Sequence, residues 1–347
     1  MKIHLDNIIY QLQSEGGIST FWHEITTRLL KKKELDVLVS KGSKLSRFLP
    51  VPSSSDIFHS SYFRTPIFTA GKIKTVVTVH DLIYEELIKT RNDLNIVFNY
   101  WQRYKAIESA DAIVCISNTT KKYLLDYYPS LHSRLGDISV IHHGKSFAES
   151  EIDNISIPTN RLEDLFQQIA KKYVIFIGGR QSYKNFDLAL KGFASSNLLR
   201  EQNYSFICTG KLFNTEEIDL ISKLQLADRV KILPNATKAE LIALYKYAHA
   251  LLYISSQEGF GLPLLEAMSC KCPIITSTCD AILETVDNAS IVIDLNDISS
   301  IAAALDLLSD DSIRQNYISK GRLRVLDFDW DKAADQYLDL YYSLIKS

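Results

Sequence analysis

The sequence predicts an α/β fold: two doubly wound domains in tandem, each a parallel sheet with crossover helices. Three observations predict it. Short runs rich in Val and Ile alternate with longer helical patterns, which is how parallel sheets with crossover helices read. The alternation halts near residues 149–158, in a stretch rich in Ser, Asn and acidic residues, and then starts afresh. The chain has 347 residues, the length of two ordinary domains, and its 46% hydrophobic content can supply two cores.

In chain order, the first half offers strands near residues 3–9, 36–39, 57–59, 75–79, 112–116 and 138–141. Residues 149–158 show no periodicity and read as an interdomain linker or surface loop. The second half offers strands near residues 173–177, 204–208, 230–233, 250–254, 273–276 and 290–293. Trp330, Ala333, Ala334, Tyr337, Leu338 and Tyr341 then recur at helical spacing. The predicted division is 1–160 for the first domain, 161–327 for the second and 328–347 for a last helix. There is no short-period repeat and no low-complexity tract.

Composition excludes several classes. A net charge of -2 gives no overall nucleic-acid signature. The odd count of 5 Cys in apolar surroundings favours reduced thiols, and Cys270-Lys271-Cys272 lacks the spacing of a zinc knuckle. Met1-Lys2-Ile3-His4 enters a strand without a signal-peptide core. No apolar run has the length, about 18 residues, that a membrane span needs.

The most informative stretch is Ser255-Ser256-Gln257-Glu258-Gly259-Phe260-Gly261-Leu262-Pro263-Leu264-Leu265-Glu266. It follows a buried strand. Pro263 suits the first turn of a helix, where its missing N–H costs nothing. Gly259 and Gly261 leave the loop without bulk. The loop therefore offers a carboxylate at Glu258, backbone N–H groups at a helix start and a second carboxylate at Glu266. Such N–H groups attract anions, and carboxylates accept from sugar hydroxyls. An ordinary strand-to-helix turn would also have this spacing.

These residues resemble the Glu-x7-Glu motif of retaining glycosyltransferases of the GT-B fold, family 4 in particular. Glu258 and Glu266 match its two glutamates, and Gly259-Phe260-Gly261-Leu262-Pro263 matches the intervening loop. The resemblance implies two Rossmann-like domains facing a cleft, with acceptor side first and nucleotide-sugar side second. It implies that the last helix crosses back to the first domain. It assigns Glu258 to the hexose hydroxyls, with N–H groups around Phe260, Gly261 and Leu262, and Glu266 to the ribose.

Further candidates follow predicted strands, where open parallel sheets bind ligands. Gly16-Gly17 opens a helix after the first strand, and the family has such a loop facing the donor diphosphate; a plain turn reads equally well. His80 ends the strand at 75–79 and can donate to a sugar or phosphate, with a helix cap as the plainer reading. Gly178-Gly179-Arg180-Gln181-Ser182-Tyr183-Lys184-Asn185 sets two cations beside a Gly-rich turn, which suits a diphosphate clamp. Most family members place Arg directly before Lys-Asn, whereas Tyr183 stands there in this chain. Phe58-His59-Ser60-Ser61-Tyr62-Phe63-Arg64 resembles a segment on the acceptor side, and His142-His143-Gly144 resembles the family's hinge. Thr209-Gly210-Lys211 and Pro234-Asn235 match loops near the nucleobase.

Asp327-Phe328-Asp329-Trp330-Asp331 contains Asp-x-Asp twice, the metal pattern of a different glycosyltransferase fold. Standing before the last helix, it reads as a set of caps, and no metal or cofactor is expected.

The resemblance thus implies a hexosyltransferase of bacterial cell-surface polysaccharide or lipopolysaccharide synthesis. Catalytic roles fall to His80, Arg180, Lys184 and Glu258. Donor contacts fall to Gly16, Gly17, Gly179, Asn185, Gly259, Phe260, Gly261, Leu262 and Glu266. The donor is a nucleotide-sugar, with GDP-mannose as the candidate, and the acceptor a glycan or lipid-linked hydroxyl. The expected location is cytoplasmic, with a peripheral contact at the inner face of the membrane through Lys31-Lys32-Lys33 or none. An epimerase or hydrolase on a nucleotide-sugar, or a non-catalytic binding subunit, stays open on these residues.

Overall fold

The structure is a computed structural model describing residues 1–346 apart from 14–15, 69–72, 91–92, 156–158 and 169–171, and apart from the side chains of Phe68, Thr90, Leu199 and Arg200. It divides into two compact units, Met1–Gly144 with Asp329–Ser347, and Lys145–Phe328.

Fourteen strands occur among the described residues. In the first unit they are β1 (Lys2–Asp6), β2 (Asp36–Ser40), β3 (Val51–Ser53), β4 (Ile57–Ser60), β5 (Pro66–Phe68), β6 (Lys74–Val79), β7 (Ala112–Cys115) and β8 (Ile138–Val140). In the second they are β9 (Tyr173–Phe176), β10 (Ser205–Gly210), β11 (Val230–Pro234), β12 (Ala250–Tyr253), β13 (Ile274–Thr276) and β14 (Ile291–Val292).

The first unit's main sheet runs β2-β1-β4-β6-β7-β8, all parallel. The second runs β11-β10-β9-β12-β13-β14, also all parallel. Each sheet begins in its interior, winds one way, then returns past its first strand and winds the other. Every residue of β7, β9 and β12 is buried, which explains why these strands read as continuous apolar runs rather than alternating ones; β4 is equally buried but ends in His59 and Ser60. The fold class is the α/β one predicted: two Rossmann-like domains.

Four details differ from the sequence reading. β1 stops at Asp6 because Asn7 and Ile8 turn into a short helix, Ile9–Leu12, where the Ser61 hydroxyl accepts from Ile9 N at 3.0 Å. β3 and β5 form an additional two-stranded parallel sheet. The division falls after Gly144, not at 160. Residues 149–158 are not simply a linker: Glu149–Asp153 is helical, buries Ile152, and is tied down by Lys246 Nζ donating to Ile152 O at 2.9 Å and by the Lys238–Glu151 ion pair at 2.7 Å. The last three residues of that stretch lie outside the described ones.

The last helix, Trp330–Lys346, belongs to the first unit. Its buried Tyr337 and Tyr341 reach the sheet. Thr78 and Tyr337 hydroxyls lie 2.9 Å apart, and the Tyr341 hydroxyl is 2.6 Å from His59 Nδ1. At its start, Asp329 Oδ1 accepts from Asp331 N and Lys332 N at 2.7 and 3.0 Å, so Asp329 is a cap. Asp327 pairs with Arg324, and Asp331 with Arg28. Gly144 packs against the same helix start: a Cβ there would lie 2.2 Å from Trp330 N.

Candidate functional site

In the second sheet the winding reverses between β9 and β12. Loops leaving such a pair of strands part in opposite directions and leave a crevice at their C-terminal ends. The β9 loop carries Lys184 and the β12 loop carries Glu258. Lys184 Nζ donates to Glu258 Oε1, and both side chains are mostly buried. Tyr253, the last residue of β12, joins them: its hydroxyl is 3.4 Å from Lys184 Nζ. Burial, with the Glu258 carboxylate beside it, pushes the Tyr253 phenol well above its ordinary range, so it remains a neutral hydrogen-bonding group. The sequence reading did not single out Tyr253.

Asn185 joins the two loops. Its backbone is left-handed at φ 57°, a region Asn tolerates better than most residues, and its Nδ2 donates to Ile254 O at 2.8 Å. Ser256 N and Oγ both donate to Tyr183 O. The Lys-Asn pair therefore serves as an anchor as well as a charge. Gly179 lies in the same loop, where a Cβ would meet the Gln181 side chain at 2.4 Å.

Beyond Glu258 the chain turns at Gly261, φ 102°, where a Cβ would lie 2.7 Å from Leu264 Cδ1; glycine is required by both angle and space. The helix Leu262–Ser269 starts there with proline in its first turn and no side-chain cap. Phe260 is buried, with its ring edge on Phe328 at 5.6 Å and its carbonyl accepting from Thr285 Oγ1 at 2.7 Å. Phe260 thus holds the loop to the body of the unit, while Gly259 and Leu262 flank it.

Glu266 lies within this helix. Tyr245 OH donates to its Oε2 at 2.9 Å. Desolvation raises its pKa from 4.5 to about 7, against the lowering influence of Tyr245 and Lys238. A half-buried carboxyl held near neutrality inside a loop-and-helix cradle is a common mark of a binding site.

Arg180 departs from expectation. Its Nε donates to Glu217 Oε1 at 2.7 Å, its Nη1 to Thr209 O at 3.3 Å, and its Nη2 to Lys211 O, Leu212 O and Glu217 Oε2 at 2.6, 3.0 and 3.2 Å. Its guanidinium also lies 4.9 Å from the Phe213 ring centre. Every side-chain nitrogen is engaged on the β10 side, so Arg180 clamps the loops after β9 and β10 and is not gathered with Lys184 and Glu258. Thr209 and Lys211 serve this same clamp through their carbonyls.

Three predicted residues lie in the first unit. Gly16, φ 136°, precedes the helix Gly17–Leu30, and Ser14 and Glu15 of that loop lie outside the described residues. Phe21, one turn into the helix that Gly17 opens, meets the His80 ring edge-on at 4.9 Å. His80 is buried, neither ring nitrogen has a hydrogen-bond partner, and desolvation lowers its pKa to about 3. It is neutral here and does not cap the following helix, where Asp81 Oδ1 accepts from Ile83 N. His143 is buried in the same aromatic stack, 5.3 Å from Trp330.

The 58–64 segment is occupied structurally. His59 bonds Tyr341 and Thr78, Ser60 and Arg64 bond the buried Asp6 carboxylate, and Arg64 Nε donates to Leu49 O. This polar cluster fills the first sheet's own reversal point, between β1 and β4.

Comparison with known proteins agrees with this architecture. The fold is the one shared by GT-B glycosyltransferases. More particularly, residues 163–324 match the family described as Glycosyl transferases group 1, and residues 47–145 match Glycosyltransferase Family 4. Among curated relatives, the O-antigen chain mannosyltransferase B of Escherichia coli is 31% identical over 183 residues, covering 51% of this chain and 47% of that protein. The D-inositol 3-phosphate glycosyltransferase of Salinispora tropica is 26% identical over 255 residues, covering 68% and 52%. The chain thus spans about half the length of the curated relatives it matches. Among solved structures, sucrose-phosphate synthase from Thermosynechococcus elongatus superposes with TM-score 0.74 at 16% identity, covering 100% of this chain and 99% of that one. Anabaena HepE in complex with UDP-glucose superposes with TM-score 0.71 at 17% identity, covering 99% and 100%. Among the described residues no helix is long and apolar enough to cross a membrane.

Proposed function

We propose that this chain is a retaining hexosyltransferase. It moves a hexose from a nucleotide-sugar to a hydroxyl of a glycan or lipid-linked acceptor in cell-surface polysaccharide synthesis. The observation that carries the reading is the Lys184–Glu258–Tyr253 cluster at the reversal point of the second sheet, with Glu266 following at the spacing of the two motif glutamates. GDP-mannose is the proposed donor, supported by relatives named as O-antigen mannosyltransferases.

In this reading Glu258 accepts from the hexose hydroxyls and Glu266 from the ribose. The backbone around Gly259, Phe260, Gly261 and Leu262 lines the sugar. Gly179 and Asn185 shape the loop that bears Lys184. The bond from the anomeric carbon to the leaving phosphate oxygen breaks with its electron pair. The acceptor oxygen bonds the same face and passes its proton to that phosphate. Lys184 interacts more strongly with the departing diphosphate than with the intact donor, and only that difference speeds the reaction. Arg180 is a positioning residue that holds the loop bearing Lys184.

The test is a screen of nucleotide-sugars, reading released nucleotide with and without cell glycolipid. Release that depends on glycolipid, with retained anomeric configuration in the product, is expected. Release that ignores any acceptor would replace transfer by hydrolysis or epimerisation.

A further inference from the structure

One face of the first unit carries apolar side chains that the fold leaves in solvent. The helix Leu94–Ser109 buries Asn99, Arg103, Ala106 and Ile107. Its other side presents Leu94, Val97, Phe98, Trp101 and Tyr104, all exposed, at three- and four-residue spacing. That is an apolar stripe on the outer face of a surface helix, the reverse of ordinary amphipathicity. Leu94 is 87% exposed and Trp101 50%.

The segment 44–49 widens the stripe with Leu45, Phe48 and Leu49, also exposed. It is joined firmly to the helix. Phe48 meets Phe98 edge-on at 4.8 Å, Gln102 Nε2 donates to Arg47 O at 2.9 Å, and Arg47 donates to Asn99. The two segments therefore form one continuous patch, which a soluble monomer rarely displays without a use for it.

The charges on the patch itself are basic, and its carboxylates stand at the two ends of the helix, at the N-cap Asp93 and at Glu108. Lys41 and Lys44 are exposed, and Lys105 Nζ lies 4.2 Å from the Trp101 ring centre. No Asp or Glu occurs from Lys41 to Pro50 or from Leu94 to Ile107, although the whole chain is at -2. We propose that this face docks on an anionic lipid bilayer. Phe48, Phe98 and Trp101 would enter the headgroup layer, with Lys41, Lys44 and Lys105 against anionic headgroups. Exposed aromatic and aliphatic groups ringed by lysines fit that boundary, because the rings favour the interface and the ammonium groups gain from its negative potential. A second copy fits poorly. Two-fold pairing would bring three lysines from each copy together, against the two carboxylates, Asp93 and Glu108, at the ends of each helix. The basic triplet Lys31-Lys32-Lys33 is elsewhere, and Lys32 is already paired with Asp335 at 2.7 Å.

Among the 3 Trp, Trp22 and Trp330 are buried and Trp101 is exposed, so tryptophan emission reports this face. The full chain is mixed with vesicles of phosphatidylcholine plus phosphatidylglycerol, and with phosphatidylcholine alone. The expected result is a blue shift and co-sedimentation with the mixed vesicles at low salt, both weakened by salt. Each Lys41→Gln, Lys44→Gln or Lys105→Gln exchange should weaken binding about fivefold. Phe98→Ser, which keeps the reporter, should weaken it about tenfold or more with an unchanged melting curve. Unshifted emission with both vesicle types, or equal salt-independent binding to both, would overturn the proposal. So would a concentration-dependent dimer that Phe98→Ser dissociates, which would give the face to a second copy. The relevance to lipid-linked acceptors rests on the transferase reading, but vesicle attachment reads no turnover, so the two can fail separately.

Discussion

Glu266→Gln should stabilise the ligand-free protein, and by an amount that grows with pH. The Glu266 carboxyl has its pKa raised from 4.5 to about 7 by burial. The folded state then holds this proton more tightly than the unfolded chain. Unfolding between those two values releases a proton, so stability falls as pH rises through the window and levels off above about 7. The full interval corresponds to roughly 3 kcal/mol, which partial exposure reduces to about 2 kcal/mol. Glutamine cannot ionise and still accepts from the Tyr245 hydroxyl, so it removes this penalty and little else.

The assay is urea unfolding of the native and variant chains at pH 5 and pH 8. The two should be close at pH 5, and the variant more stable by about 2 kcal/mol at pH 8. A variant equally destabilised at both values would refute the reasoning, since it would mean that the carboxylate is well solvated or stabilises the helix. A stabilising substitution at a site residue is what a stability–function conflict looks like. The same variant should therefore bind the donor more weakly.

Lys184→Ala should lower turnover about a hundredfold, which is roughly 3 kcal/mol of transition-state stabilisation, with a smaller change in apparent donor affinity; donor titrations at saturating acceptor separate the two. Arg180→Ala should cost about 3 kcal/mol of stability, because it strands the mostly buried Glu217, and Glu217→Gln should be milder; chemical unfolding compares them. Gly144→Ala should destabilise the first unit by about 2 kcal/mol, since the added methyl meets the backbone of Trp330 and Asp329; a thermal melt reads it. Activity should survive excess chelator, because in the proposed reaction Lys184 supplies a fixed cation for the diphosphate; complete loss restored by a metal would contradict that role.

The sheets were legible because their strands are buried on both faces, so residues such as Val174, Ile175 and Phe176 form unbroken apolar runs. Glu258, Lys184 and Asn185 were legible because each lies in the loop that leaves such a run. What escaped depended on contacts distant in sequence. β3 and β5 are three residues each and contain Pro52 and Pro66, so neither shows a strand period. The helix Glu149–Asp153 is held by Lys238 and Lys246, far along the chain. Tyr253 looked like one more apolar residue of β12, and only the crossing of the two loops shows its hydroxyl facing the pair.

Arg180 marks the sharpest limit. A cation four residues before Lys184 invites assignment to the same phosphate, because sequence shows proximity along the chain and charge, but not which carboxylate competes for it. Glu217 competes here. It is in the first turn of the helix Thr215–Lys223, where its carboxylate also accepts from Asn214 N at 2.9 Å. That placement suits a negative charge independently of Arg180. The carbonyls of Thr209, Lys211 and Leu212 complete the guanidinium's partners. For Arg180 to turn toward a ligand, all of these bonds would have to break and leave Glu217 mostly buried without its cation. Lys184 faces no such barrier. Among the described residues its one charged partner is Glu258, and a donor sugar that bonds Glu258 through its hydroxyls would leave the ammonium free to meet the diphosphate. The difference between the two cations is thus one of what each must give up. That asymmetry is why the proposed reaction gives the electrostatic role to Lys184 and the architectural one to Arg180.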